Sequence, residues 1–449
     1  MDKFKNIIIG FGKAGKTLAK YLAQHDETVL LIERSKQMYG GTCINVGCLP
    51  SKNLILNGQR GLDFTAAVNK RGEMTRQLRD KNYHMVADEP LATVWNGSAR
   101  FIDNYVLAVV MSDGTTKKVR GERIFINTGA VPNWPSIPGL EFGQRIFTSK
   151  EAMELKKQPK RLAIIGGGYI GLEFAGMFNS FGTHVTIFDQ HTRLLEREDP
   201  DIATEVVTDL TDAGIEIKSE TQLTQVKDNG EKVTLYYQQG DQTNTAEFDA
   251  VLVAVGRRPN VSSLGLENTD IALTNRGAIQ VDDHLRTTVQ NIWALGDVNG
   301  GPMFTYVSLD DFRIIIDQLF GKGDRSTADR MVIPTASFLN PPLANVGLNE
   351  RQAKSAGYDL QTFKLSVKAI PKARVLENQR GLYKVIVDQK THLILGATLY
   401  AAEAHETINL IALAMKAKLP YERLRDMIYT HPTMSEALND LFKTPVVKS

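Results

Sequence analysis

The chain has 449 residues, 42 % of them hydrophobic and 23 % charged, with 53 Lys and Arg against 51 Asp and Glu for a formal net charge of +2. That composition excludes a disordered or collagen-like chain, and the even charge balance argues against nucleic-acid or membrane partners recognised through a chain-wide electrostatic footprint. Cys43 and Cys48 are the only cysteines, too few for a disulfide-stapled secreted protein or a four-cysteine zinc site, and no metal site is expected.

Length alone suggests about three domains. Residues 5–9 read as a strand and lead into Gly10-Phe11-Gly12-Lys13-Ala14-Gly15, a G-x-G-x-x-G turn. A helical pattern over 17–24 follows, then an apolar strand over 29–32 that ends at Glu33. Lys13 and Lys16 interrupt the early apolar run, so no signal peptide is read, and no stretch approaches the ~18 apolar residues of a membrane span. The cytoplasm is therefore expected.

The segment Gly40-Gly41-Thr42-Cys43-Ile44-Asn45-Val46-Gly47-Cys48-Leu49-Pro50-Ser51-Lys52 comes next. Its two thiols are either buried small residues or a working redox pair. Residues 123–127 form a short apolar strand before Thr128-Gly129, downstream of a hairpin signal at Asp113-Gly114.

The first unit then repeats. A strand over 162–165 enters Gly166-Gly167-Gly168-Tyr169-Ile170-Gly171, a helix spans 172–181, and a strand over 185–188 ends at Asp189. Glu33 lies 33 − 10 = 23 positions after the first glycine of its motif, and Asp189 lies 189 − 166 = 23 positions after its own. One glycine motif is weak evidence of nucleotide binding; two, each between strand and helix and each with an acid closing the next strand, are strong. The glycines allow a tight turn and close approach of a pyrophosphate to a helix N-terminus, and the acid accepts from a ribose. After Asn229-Gly230, residues 248–254 lead to Gly256, again a strand into a glycine. A third such event, 291–295 into Gly296-Asp297, occurs once and so serves only one nucleotide unit.

Beyond about residue 330 the texture becomes α+β. Strands are expected at 367–369, 383–387 and 393–399, and helices at 405–418 and 421–428. Two dinucleotide sites on one chain suggest FAD and NADH or NADPH, with the cysteines receiving the electrons beside the flavin. The expected fold is α/β: two Rossmann-like domains, for FAD (1–149 and 260–330) and NAD(P)H (150–259), plus an α+β dimerisation domain (331–449).

At this point the sequence resembles the pyridine nucleotide–disulfide oxidoreductases, which include glutathione reductase, lipoamide dehydrogenase and mercuric reductase. The likeness runs over residues 5–442 and rests on GGTCINVGCLPSK, the paired glycine motifs, ALGD at 294–297 and HPTMSE at 431–436. It implies that Cys43 meets substrate while Cys48 contacts the flavin, and that Lys52 pairs with Glu173 beside the ring. Tyr169 would cover the nicotinamide pocket, Glu33 the adenosine ribose of FAD and Asp297 its ribityl chain. His431, oriented by Glu436, would be the general acid–base of the other subunit's site, making a homodimer obligatory.

The phrases at 10–19, 38–48, 304–313 and 430–442 further resemble a bacterial subgroup of reactive-chlorine-resistance flavoproteins whose relatives include hypothiocyanous acid reductases. The expected activity is reduction of a small thiol-reactive oxidant. Copper(II) reduction, dihydrolipoamide oxidation and a low-turnover flavin sensor are the alternatives. Asp189 favours NADH, whereas Arg193 and Arg197 would favour a 2′-phosphate.

Overall fold

The computed structural model describes residues 1–443 and 445; positions 444 and 446–449 of the expected C-terminal domain lie outside the described residues. Asp2–Ile9 sits at the centre of the first sheet, where Ile7, Ile8 and Ile9 are buried on both faces, as a parallel strand requires. It pairs in parallel with Val29–Glu33 on one side and Thr116–Ile126 on the other. Ala92–Phe101 and Thr116–Ile126 are long because each serves twice. One half of each lies in the parallel sheet, and the other half joins Val106–Met111 in an antiparallel meander. Ile292–Ala294 then returns, after the second nucleotide unit, to pair with Thr116–Ile126.

The second sheet is wholly parallel, in the order Glu216–Lys218, His184–Phe188, Arg161–Ile165, Ala250–Val253, Ile146–Phe147. A three-stranded meander from Thr221–Asp228 to Gln242–Phe248 accompanies it. Ile146–Phe147 thus belongs to the second unit, although a boundary at 149 leaves it with the first. A two-stranded ribbon, Ala130–Pro132 against Arg257–Pro259, links the two units.

The two glycine turns are built alike. Gly10 has φ +104° and Gly166 φ +105°, and a Cβ there would lie 2.3 Å from Asn127 O and 2.7 Å from Ala254 O respectively. Only glycine fits that backbone and that space. Helices Lys13–Ala23 and Tyr169–Ser180 follow directly, capped by Gly12 and Gly168 with extended backbone.

The C-terminal part is a five-stranded antiparallel sheet, Thr335–Ser337 through Leu360–Ser366, with helix Ala404–Lys416 packed on it. Two expectations fail here. Val367–Ala369 is a short 3-10 turn, not a strand, and the strand is the preceding Leu360–Ser366. Thr362, Lys364 and Ser366 break its apolar run, while Ile370 N–H donates to Val367 O to turn the chain into Pro371. The helix expected at 421–428 shrinks to Glu422–Arg425, because Asn439 Nδ2 donates to the carbonyls of Arg425 and Met427 and ends it. Among the described residues, no helix is long and apolar enough to cross a membrane.

Lys384, 2 % exposed, pins this sheet to the second unit. Its ammonium lies 2.8 Å from Asp199, 3.1 Å from Asp201 and 2.9 Å from Glu350. Burial works against the charge, but the three carboxylates outweigh it and hold the lysine above its usual range. Removing one partner of a buried ion pair is costlier than the pair is worth, because the other charge, here Asp199, stays buried. Lys384→Met should lower stability by about 3 kcal/mol, read from urea denaturation of the holoenzyme. Unchanged denaturation would refute that role.

Candidate functional site

The site grows from the segment after the first β-α-β unit. Thr42–Val46 forms a short helix carrying Cys43, and Gly47 breaks it. Cys48 then opens the helix Cys48–Gln59. Asn45 Nδ2 donates to Tyr39 O and Gly41 O, and Arg79 Nε donates to Asn45 Oδ1, so the long helix Phe64–Ala87 holds the cysteine turn in shape.

Both cysteines are free thiols. A hydrogen bond from Cys48 is the largest influence on Cys43; burial opposes it, and the Thr305 hydroxyl and Leu49 N–H add to it. The net effect brings the Cys43 thiol down to about 6. Cys48 moves the other way, because its proton is held by Cys43 and because it is buried. The two titrate as one unit holding a single proton at neutral pH.

Lys52, one helical turn on from Cys48, places Nζ 2.6 Å from Glu173 Oε2 and 5.0 Å over the Phe338 ring. Glu173 Oε1 accepts from Phe338 N–H at 2.8 Å. This pair bridges the cysteine helix, the helix of the second glycine motif and the C-terminal sheet.

A cavity of about 1520 Å³ passes through all of this. Gly10, Gly12, Glu33, Gly41, Thr42, Cys43, Cys48, Lys52, Thr128, Gly129, Tyr169, Glu173 and Asp297 line it. Gly15, Gly166, Gly168, Gly171, Asp189, Gly256 and Gly296 do not line it. The size exceeds a single small-ligand pocket and suits an extended dinucleotide.

The donor set fits as well. Glu33 Oε2 accepts from Phe11 N–H at 3.0 Å and Asp189 Oδ2 from Gly167 N–H at 2.6 Å, so each acid braces its own glycine turn. Burial raises Glu33 and Asp297 above the ordinary carboxylate range. Arg257, on the ribbon between the units, partly offsets this at Asp297, and its guanidinium donates to Ala130 O at 2.6 Å.

Tyr169 lines the cavity and is 43 % exposed, and its hydroxyl donates to Glu198 Oε1 at 2.5 Å. Asn345 Nδ2 also donates to Glu198, at 3.2 Å. Of the two arginines near Asp189, Arg197 lines the cavity, while Arg193 donates to Glu198 O.

His431 and Glu436 form a dyad, Nδ1 lying 2.9 Å from both carboxylate oxygens, but they stand apart from the cavity. The imidazole is 71 % exposed on the C-terminal domain, with Nε2 directed away from its own glutamate. Sequence reasoning missed Thr305, Glu198, Arg257 and Asn127. Asn127 alone had a local signal, its place just before Thr128-Gly129. It accepts from Gly15 N–H at 3.0 Å and donates to Leu295 O at 2.7 Å, joining the glycine turn to the returning strand.

The shared proton makes a direct expectation. Alkylation of the reduced holoenzyme by iodoacetamide should rise with a midpoint at about pH 6 and fall below it as the thiolate is protonated. Cys48→Ala removes the main hydrogen-bond donor and should move the midpoint up towards the free-thiol value of ~8.5. A wild-type midpoint near that value would overturn the assignment.

Residues 4–311 match the pyridine nucleotide-disulphide oxidoreductase family, and residues 333–442 match its dimerisation domain. The chain is 48 % identical over 442 residues to a probable pyridine nucleotide-disulfide oxidoreductase, RclA, of Escherichia coli K12, covering 98 % of this chain and 99 % of that one. It is 33 % identical to a mercuric reductase of Staphylococcus aureus, over 96 % of this chain and 80 % of the relative. A solved Cu(II) complex of the HOCl-induced flavoprotein disulfide reductase RclA from E. coli superposes with a TM-score of 0.95 at 47 % identity, covering 98 % and 99 % of the two chains. The paired glycine turns, the thiols beside them and these likenesses lead to one conclusion: the chain belongs to the pyridine nucleotide-disulphide oxidoreductases, as a flavoprotein disulfide reductase that uses FAD and NAD(P)H.

Proposed function

We propose that the protein reduces hypothiocyanous acid, a small thiol-reactive oxidant, with electrons from NAD(P)H. The observation that carries this reading is the pair Cys43 and Cys48, two hydrogen-bonded thiols at a helix start on a large cavity, in a chain with no third cysteine. A small electrophile needs no further thiol to relay its electrons. The E. coli relative is described as HOCl-induced, which supports an oxidant of this class.

In this reading FAD lies on the domain formed by 1–149 and 260–330. Its pyrophosphate faces the N-terminus of Lys13–Ala23, its adenosine ribose meets Glu33, and its ribityl chain meets Asp297. NAD(P)H lies on 150–259, with Asp189 at the ribose and Tyr169 over the nicotinamide pocket. Bound there, the two nucleotides supply a hydride and relay its two electrons to the cysteine pair.

The chain's own residues do the rest. Cys43 thiolate attacks the sulfur of hypothiocyanous acid, the S–O bond breaks, and hydroxide leaves with a sulfenyl thiocyanate on Cys43. Cys48 gives its proton to make water and attacks Cys43 sulfur. Thiocyanate leaves and the disulfide closes. The sum is hypothiocyanous acid plus NAD(P)H giving thiocyanate, NAD(P)⁺ and water.

The dimerisation-domain match supports a homodimer. There His431, held at Nδ1 by Glu436, acts through Nε2 as the general acid–base of a second copy's cysteines, carrying the Cys48 proton to the leaving hydroxide. We place the reaction in the cytoplasm, where thiols stay reduced. Copper(II) reduction is the second reading, favoured by the solved Cu(II) complex of the relative.

Purified holoenzyme should oxidise NADH or NADPH when hypothiocyanous acid is added. Cys43→Ser should reduce this to background, and His431→Ala should slow it by ~10²-fold or more. Turnover that survives Cys43→Ser, or that requires copper in an anaerobic assay, would overturn the reading.

A further inference from the structure

The two helices that open the nucleotide units differ at their first residue. Lys13 begins Lys13–Ala23 directly after Gly12, and Tyr169 begins Tyr169–Ser180 directly after Gly168. A cation is poorly placed at a helix N-terminus, where the macrodipole already presents positive charge. The first turn of Lys13–Ala23 nonetheless holds two lysines, Lys13 and Lys16, and no acid. Lys16 is 5 % exposed, its ammonium donating to Gly40 O at 3.3 Å and to Asn82 Oδ1. Lys13 is half-buried, lines the cavity and forms no ion pair among the described residues. Glu33, on the same cavity, spends its two oxygens on Phe11 N–H at 3.0 Å and Ser35 N–H at 3.1 Å.

The backbone of this turn has less to offer an anion than its glycines suggest. A helix start leaves its first N–H groups without intrahelical acceptors, ready for a phosphate. Here Ala14 N–H donates to Ser308 Oγ at 3.3 Å and Gly15 N–H to Asn127 Oδ1 at 3.0 Å. In the second turn no described side chain accepts from the corresponding N–H groups of Ile170 and Gly171. The first turn thus spends two donors inside the chain and carries an ammonium on the cavity wall. The second keeps those donors and carries a neutral side chain, the Tyr169 hydroxyl donating to Glu198.

We infer that the Lys13 ammonium is a direct charge contact to the pyrophosphate of FAD, and that this contact makes the flavin the nucleotide that stays. The inference rests on the reading that FAD lies on the first unit. A pyrophosphate diester is dianionic, and hydrogen bonds to it from an ammonium are roughly twice as strong as those from neutral donors. The penalty of a cation at the helix start is offset only when that anion is present. A nicotinamide nucleotide carries the same pyrophosphate but meets no charge at the matching position, as suits a coenzyme that leaves after each hydride transfer.

The test follows FAD release from purified holoenzyme, read as flavin fluorescence after dilution at low and high NaCl. Lys13→Met should speed release ~10-fold or more at low salt. A charge contact is screened by salt, so release from the wild type should quicken as NaCl rises and release from Lys13→Met should respond less. Lys13→Arg should restore most of the retention and of the salt response. Methionine keeps the packing of the lysine stem, so a purely structural role would leave release unchanged. Should Lys13→Met purify without flavin, titration with FAD at both salt concentrations gives the same comparison as a dissociation constant. Release from Lys13→Met at the wild-type rate, or release equally fast from Lys13→Arg and Lys13→Met, overturns the proposal. Wild-type release together with a raised KM for NAD(P)H overturns the placement of FAD on the first unit as well, which keeps the two failures distinguishable.

Discussion

One ion pair ties the chemistry to the frame that feeds it. Lys52 and Glu173, 2.6 Å apart, join the helix that begins at Cys48 to the helix that begins at Tyr169. Glu173 is 7 % exposed and spends its second oxygen on Phe338 N–H, just past the first strand of the C-terminal sheet. Three parts of the chain, each folding around its own sheet, thus meet at one carboxylate. A lysine moved by an ångström would take Cys48, its helix and the cavity wall with it. The pair is largely dry, so its worth is in fixing geometry more than in net stability.

Around that point cationic and acidic groups share one cavity. Two cationic groups, Lys52 and Arg257, act on Cys48. Buried acids line the same cavity, with Glu33 and Asp297 both raised by desolvation. A thiolate needs the first environment and a sugar hydroxyl needs the second. The fold delivers both by bringing the cysteine turn, the first glycine motif and Asp297 onto one cavity.

What the sequence made legible was what is local. The glycine turns, the matching interval of 23 to Glu33 and Asp189, the cysteine segment and the return at Gly296-Asp297 are all short-range patterns with a physical reason. Non-local features stayed hidden. Thr305 reaches Cys43 from a distant segment, and Arg257 reaches Asp297 through a ribbon that no periodicity announces. The polar alternation of Leu360–Ser366 concealed a strand because one of its faces is only half-buried. Ile146–Phe147 is too short to declare which sheet it joins. The exposed His431–Glu436 dyad was legible only through resemblance, since nothing in its own chain explains it.

The two acids that close the nucleotide strands have a consequence beyond ligand binding. Glu33 and Asp189 each give one carboxylate oxygen to an N–H of the glycine turn ahead of them, at 3.0 and 2.6 Å. Each turn is therefore braced from within before any ligand arrives, so the conformational entropy of its glycines is lost during folding instead of at each encounter. For a tightly held cofactor that saving adds affinity once. For a nucleotide that enters and leaves every cycle it removes a loop-ordering step from every turnover.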